Sequence, residues 1–264
     1  MKIQSIALAL ALTLTGCTSN IVTAPSPSVT GNWKFASSAT PVFAAQASIF
    51  EGGLVSAGSQ VTGTLHTALL PGQSNLCFSS ATGIPVTGTI DNTGHLALTS
   101  QPFAGSTLTL TGQYNASTRT LHGTSVAVTG GACAEAVTPA VGLQYQPISG
   151  TYNGTFASAQ GGNIPVSATL NQTTTQDANG SFHLTGSATF TGDPSCLVSP
   201  AVSDSTVTGN TLTVTYSESH PPFTTTVTAT GTFNTDATVL TISGYSVSGN
   251  PNCVDSGSGT LTKQ

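Results

Sequence analysis

Charge is what this chain has least of. Asp, Glu, Lys and Arg make up 5 % of its 264 residues, against roughly 25 % in ordinary globular domains. The basic residues are Lys2, Lys34, Arg119 and Lys263 alone. A nucleic-acid surface needs a clustered Lys/Arg footprint, so that class of partner is excluded. Anionic lipid headgroups are excluded as an electrostatic partner for the same reason. No apolar run reaches the roughly 20 residues that span a bilayer as a helix. No 3.6-residue period appears beyond the first 16 positions, so amphipathic helices are not expected. The Gly-x-Ser-x-Gly elbow, the His-Glu-x-x-His pair and the phosphate-binding loop are all missing. The chain therefore reads as non-enzymatic and carries no signature of a cofactor.

Thr, Ser, Gly, Ala and Val fill the space that charge leaves. Solubility must rest on hydroxyls and amides, as on exported proteins built from sheets. The order of residues at the start agrees. Lys2 precedes an apolar stretch of about 13 residues that ends on small ones, which is the layout of a secretory signal. It closes on Leu14-Thr15-Gly16-Cys17, which resembles the lipobox of bacterial lipoproteins. That resemblance implies cleavage before Cys17 and acylation of Cys17 with diacylglyceryl and an N-acyl (palmitate-type) chain. The partner so implied is membrane lipid, held through acylated Cys17; several chains at about 0.8 kcal/mol per buried CH₂ give a durable anchor. Thr18, where retained inner-membrane lipoproteins carry Asp, points by the same resemblance to the outer membrane. From Cys17 onward three basic residues face nine acidic ones, a net charge of −6. Residues 17–29, with Pro25 and Pro27 among Ser and Thr, form an extended spacer of about 30–40 Å at about 3.1–3.4 Å per residue.

The remainder is an internal repeat. Gly31-Asn32-Trp33 opens one unit and Gly150-Thr151-Tyr152 the next. Cys77 and Cys196 follow those glycines at the same spacing. Thr111-Gly112-Gln113-Tyr114-Asn115 corresponds to Thr230-Gly231-Thr232-Phe233-Asn234, and Cys133 and Cys253 follow at near-equal distances. The expected organisation is a signal over 1–16, the spacer over 17–29, and β-domains over 30–146 and 147–264. Inside each unit the apolar period is two, as in Thr107-Leu108-Thr109-Leu110 and Thr211-Leu212-Thr213-Val214, which marks half-buried antiparallel strands. Turn residues recur every 8–12 positions. In the second unit the pattern predicts strands at 150–157, 164–172, 181–190, 202–208, 211–217, 224–233, 238–247 and 257–262. The fold class expected is all-β: two tandem meanders closing into small eight-stranded barrels, with β-sandwiches as the alternative. Closure would remove exposed strand edges. The Gly-x-Trp opening on a first strand resembles the calycin group of lipocalins and avidins. That resemblance implies a barrel and allows a small apolar or sugar-like ligand in its mouth; otherwise Trp33 and Tyr152 simply plug one barrel end.

Four cysteines remain beside Cys17. Their matching offsets favour Cys77 with Cys133 and Cys196 with Cys253, one disulfide per unit, in an oxidising compartment. A four-thiolate zinc site would need ligands two to four residues apart, and these are not. His66, His95, His122, His183 and His220 form no i, i+2 pair on a strand, so a metal site is not expected. Asp91, Asp177 and Asp193 sit in turn sequences; Asp177-Ala178-Asn179-Gly180 resembles the start of a calcium loop but lacks its later ligands. The function expected is a membrane-anchored cell-envelope lipoprotein with a structural or surface role, the alternative being a small-ligand binding module that uses the barrel mouths.

Overall fold

The computed structural model describes residues 25–37, 49–68, 83–102, 105–131, 134–160, 162–191 and 201–264. They form sixteen strands and no helix. The first eight are β1 (Gly31–Ser37), β2 (Ile49–Ala57), β3 (Gln60–Ala68), β4 (Ile84–Ile90), β5 (His95–Ser100), β6 (Thr107–Asn115), β7 (Thr120–Thr129) and β8 (Glu135–Tyr145). The second eight are β9 (Ser149–Ser158), β10 (Asn163–Gln176), β11 (Phe182–Phe190), β12 (Ala201–Thr208), β13 (Thr211–His220), β14 (Phe223–Phe233), β15 (Val239–Ser248) and β16 (Asp255–Lys263). Each set pairs antiparallel with its sequence neighbour and then closes on itself, β1 against β8 and β9 against β16. The chain is two tandem up-and-down barrels, and the sandwich alternative is set aside. In each closing pair a phenylalanine stands opposite a glycine: Phe35 opposite Gly142, and Phe156 opposite Gly259. A Cβ at Gly259 would lie 2.4 Å from the Phe156 ring, so glycine there lets the seam close.

Alternation explains the interior. Along β6 the leucines Leu108 and Leu110 are buried while Thr107, Thr109 and Thr111 face outward. Along β14 the buried set is Thr225, Val227, Ala229, Gly231 and Phe233. The inward side chains of each barrel make one contiguous apolar cluster. This apolar-in, hydroxyl-out arrangement is the reverse of a lipid-facing barrel wall. No helix of the described residues is long and apolar enough to cross a membrane.

Consecutive antiparallel strands put alternate connections at opposite ends. One end, the base, carries tight turns: Gly58-Ser59, the Asp91 turn, 116–119, the Asp177 turn, Gly209-Asn210 and 234–238. Asp91 Oδ1 accepts from the backbone N–H of Thr93 and His95 at 2.9 Å. Asp177 Oδ1 accepts likewise from Asn179 and Ser181 at 2.9 Å, and Asn234 Oδ1 from Thr238 at 2.8 Å. These are side-chain-capped turns. Trp33 and Tyr152 lie near the base of their barrels, both at 0 % exposure. Trp33 stacks on Phe35 at 5.4 Å and donates Nε1–H to the Val29 carbonyl at 2.7 Å. Tyr152 donates its hydroxyl to the Ala237 carbonyl at 2.8 Å.

The two barrels are not beads on a string. Only residues 146–148 separate β8 from β9, and Ile148 is fully buried in the second barrel's cluster. Tyr145, the last residue of β8, joins that cluster and meets the Phe233 ring edge-on at 5.7 Å. Two base turns of the second barrel, the Asp177 turn and Gly209-Asn210, rest on the β1–β2–β3 wall of the first: a Cβ at Gly180 would lie 2.4 Å from the Thr64 carbonyl oxygen, and one at Gly209 2.7 Å from Glu51 Cβ.

Candidate functional site

Among the described residues few side chains with chemistry are gathered together, so the seam between the barrels stands out. Its floor is the row Lys34, Glu51, His66 on the outer face of β1, β2 and β3, set side by side by the strand register. Its lid is the Gly209-Asn210 turn between β12 and β13. Gly209 has φ +58°, and a Cβ there would lie 2.7 Å from Glu51 Cβ and 3.1 Å from the Trp33 carbonyl oxygen. Glycine is required on both counts: it takes the left-handed backbone at no cost and lets the turn descend onto the wall. Farther along, the Phe182 ring lies over Gly53, where a Cβ would come within 2.4 Å of it.

Asn32, fully buried, exchanges two side-chain hydrogen bonds with Gln172. Its Nδ2 donates to Oε1 at 3.0 Å, and Gln172 Nε2 donates back to Oδ1 at 3.1 Å. Lys34 Nζ donates to Asn210 Oδ1 at 3.0 Å and lies 3.8 Å from Glu51 Oε2. Arg119 pairs with Asp236 at the rim, and Gln146 N–H donates to the Thr235 carbonyl at 2.9 Å. Glu51 Oε2 is buried and makes no hydrogen bond. Burial drives the Glu51 carboxyl above its ordinary 4.5, and the neighbouring Lys34 charge offsets only part of that rise. Glu51 in turn helps raise the Tyr145 phenol, though burial of that phenol is the larger cause.

The sign of the pH effect follows. The folded protein holds the Glu51 proton more tightly than the unfolded chain does. The Glu51 contribution to stability is therefore complete below about pH 4.5 and declines as pH rises through the raised folded value. Titratable or charged groups facing Glu51 are Lys34, His66 and Tyr145, so the contribution is isolated by difference. Urea unfolding from about pH 4 to about pH 8 is expected to show a downward slope in the wild type minus Glu51→Gln difference. A flat difference would place Glu51 in water.

The residues singled out from sequence fall elsewhere. Cys17, Cys77, Cys133, Cys196 and Asp193 lie outside the described residues. Cys253, before β16, is 4 % exposed and disulfide-bonded. His95 and His122 are exposed on the outer face, and His122 Nε2 shares a hydrogen bond with Thr120 Oγ1 at 2.7 Å. His183 Nε2 lies 3.7 Å from Asp177 Oδ2. His220 ends β13. Among the described residues no three His, Cys, Asp or Glu side chains converge as a metal site.

Sequence reasoning passed over Lys34, Glu51 and Asn210. The signal was present in the scarcity of charge: a Lys and a Glu on neighbouring strands, in a chain with so few ions, carry more weight than in an ordinary one. At the far end of the second barrel Phe156, Phe190, Tyr216 and Tyr245 form a ring-to-ring layer, with centroids 5.1–6.2 Å apart. Beside it on β14 the Thr225 hydroxyl is fully buried and unpartnered. Compared with protein-family models, with curated proteins and with solved structures, the chain matches none.

Proposed function

We propose that this chain is a membrane-anchored cell-envelope lipoprotein of the outer membrane, with a non-enzymatic structural or surface role. The observation that carries the structural part is the filling of both barrels. Trp33, Phe35, Phe50, Leu54 and Leu65 in the first, and Tyr152, Val207 and Leu212 in the second, are essentially without solvent contact. Interiors packed by their own side chains make rigid bodies rather than ligand vessels. The hydroxyl-rich exterior suits a body held in aqueous surroundings on a tether. The anchor rests on Leu14-Thr15-Gly16-Cys17 and the Pro-containing spacer after it. Palmitate labelling with membrane fractionation tests it. The wild type is expected to be labelled and to sediment with outer membranes; Cys17→Ser is expected to stay uncleaved and unlabelled. An unmodified Cys17 in the wild-type protein by mass spectrometry overturns the proposal.

A second reading has one observation in its favour. The aromatic layer of the second barrel, with the unpartnered Thr225 hydroxyl beside it, suits a small apolar or sugar-like ligand of the kind the calycin resemblance implies. Tyrosine emission titrated with a fatty acid and with a short oligosaccharide separates the two readings: saturable quenching favours binding, and an unchanged signal favours the filled body.

A further inference from the structure

We propose that Lys34 and Asn210 become joined by an isopeptide bond that covalently staples the first barrel to the second, with Glu51 carrying the protons. Three observations meet at one place. Lys34 Nζ is 3.0 Å from Asn210 Oδ1, so the amide carbon lies one carbonyl bond beyond the contact. Glu51 Oε2 is 3.8 Å from the same Nζ, buried, and engaged by no other hydrogen-bond donor. The Asn210 amide is oriented, because its Nδ2 donates to the Phe233 carbonyl at 3.4 Å; the carbonyl faces the lysine and the leaving nitrogen faces away. The Lys34 and Glu51 side chains are 26 % and 12 % exposed, and the Gly209 turn lies against Glu51. A nucleophile and an electrophile held in contact from two separate folded bodies lose little entropy on reacting, and a buried carboxyl beside them is placed for general acid–base work.

The reaction balances without a co-reactant. Glu51 carboxylate takes a proton from the Lys34 ammonium. The freed amine forms the Nζ–Cγ bond to Asn210 while the Cγ–Oδ1 π pair moves to oxygen, which Glu51 protonates. Glu51 then takes a proton from Nζ and delivers it to Nδ2. The Cγ–Nδ2 bond breaks as the Cγ–Oδ1 double bond reforms, and the hydroxyl proton departs with the leaving group. Lysine ammonium plus asparagine amide give an isopeptide plus ammonium, and nothing is oxidised or reduced. The product also removes the Lys34 charge that holds the Glu51 carboxyl down, leaving Glu51 free to rest as a neutral acid.

The sparse basic residues make the test direct. An arginine-specific protease cuts the denatured, reduced full-length chain at its single arginine, Arg119, between the two linked residues. A Lys34–Asn210 bond is expected to keep the two halves together as one species on a denaturing gel, lighter than the sum of the separate halves by one ammonia. Lys34→Arg is expected to release them. Glu51→Gln is expected to slow linkage about a hundredfold or more while the fold, followed by far-ultraviolet circular dichroism, is kept. Wild-type halves that separate at their unmodified masses, or a linked species that survives Lys34→Arg, overturn the bond. Linkage at the wild-type rate in Glu51→Gln overturns the role given to Glu51.

Discussion

Trp33→Ala is expected to destabilise the first barrel by about 3–5 kcal/mol, the range for emptying a large buried aromatic site. Three things are lost together. The indole is fully buried, it stacks on Phe35 at an interplanar angle of 5°, and it tilts against Tyr114 at 5.6 Å. Its N–H is the donor to the Val29 carbonyl, which ties the incoming chain to the barrel base. Neighbours cannot collapse into the space easily, because closed strands on every side fix the wall. Trp33→Phe keeps the stack and loses the hydrogen bond and part of the volume, so a smaller cost is expected, about 1–2 kcal/mol. Trp33 is the chain's single tryptophan, so the wild type reports first-barrel unfolding through its own emission and the variants are followed by circular dichroism. A Trp33→Ala cost below about 1 kcal/mol would show that the indole does not fill the base.

How far the sequence disclosed this arrangement depends on the range of the interaction. Local periodicity disclosed the strands. In the second unit no expected strand end lies more than four residues from the observed one. The largest gap is at the end of β10, where Thr173, Thr174, Thr175 and Gln176 carry no apolar alternation and the register breaks between Gln172 and Gln176. The Asp91 and Asp177 turns are of one chemical type in non-equivalent connections, β4–β5 and β10–β11, so aligning them by likeness would have misplaced the repeat. The seam was not legible. Asn32 meets Gln172 across 140 residues and Lys34 meets Asn210 across 176. No pattern of period two encodes which outward-facing polar residue lies under which turn. That pairing follows from how two finished barrels dock, which depends on Gly53 and Gly209 permitting contact and on Tyr145 reaching the other core. Barrel closure lies between these cases: the strand count and hairpin loops implied it, while the closing register is set by where Phe35 and Phe156 find glycines.

The cysteine staples carry the other large effect. Cys77 lies between β3 and β4 in chain order and Cys196 between β11 and β12, the equivalent connection of the second unit; Cys133 lies between β7 and β8, and Cys253 between β15 and β16. In an up-and-down barrel those two connections leave from the same end, away from the base. The expected pairs, Cys77 with Cys133 and Cys196 with Cys253, would therefore tie half of each barrel to its last hairpin at the end away from the base. Removing one pair is expected to cost about 2–5 kcal/mol, the range for a native disulfide in a small exported domain. Cys196→Ala with Cys253→Ala should lower the transition of the second barrel more than that of the first, since each barrel has its own buried cluster. The difference between the two shifts measures the seam: the more firmly Asn32, Gln172 and Tyr145 couple the barrels, the more the first transition follows the second. Cys253 being buried, a reductant should act slowly on the folded chain and quickly once the second barrel opens, so the reduction rate and the unfolding rate should rise together with urea. Peptide mapping without reduction decides the connectivity. A peptide joining Cys133 to Cys196 would refute the pairing and, with it, the view that each barrel carries its own staple.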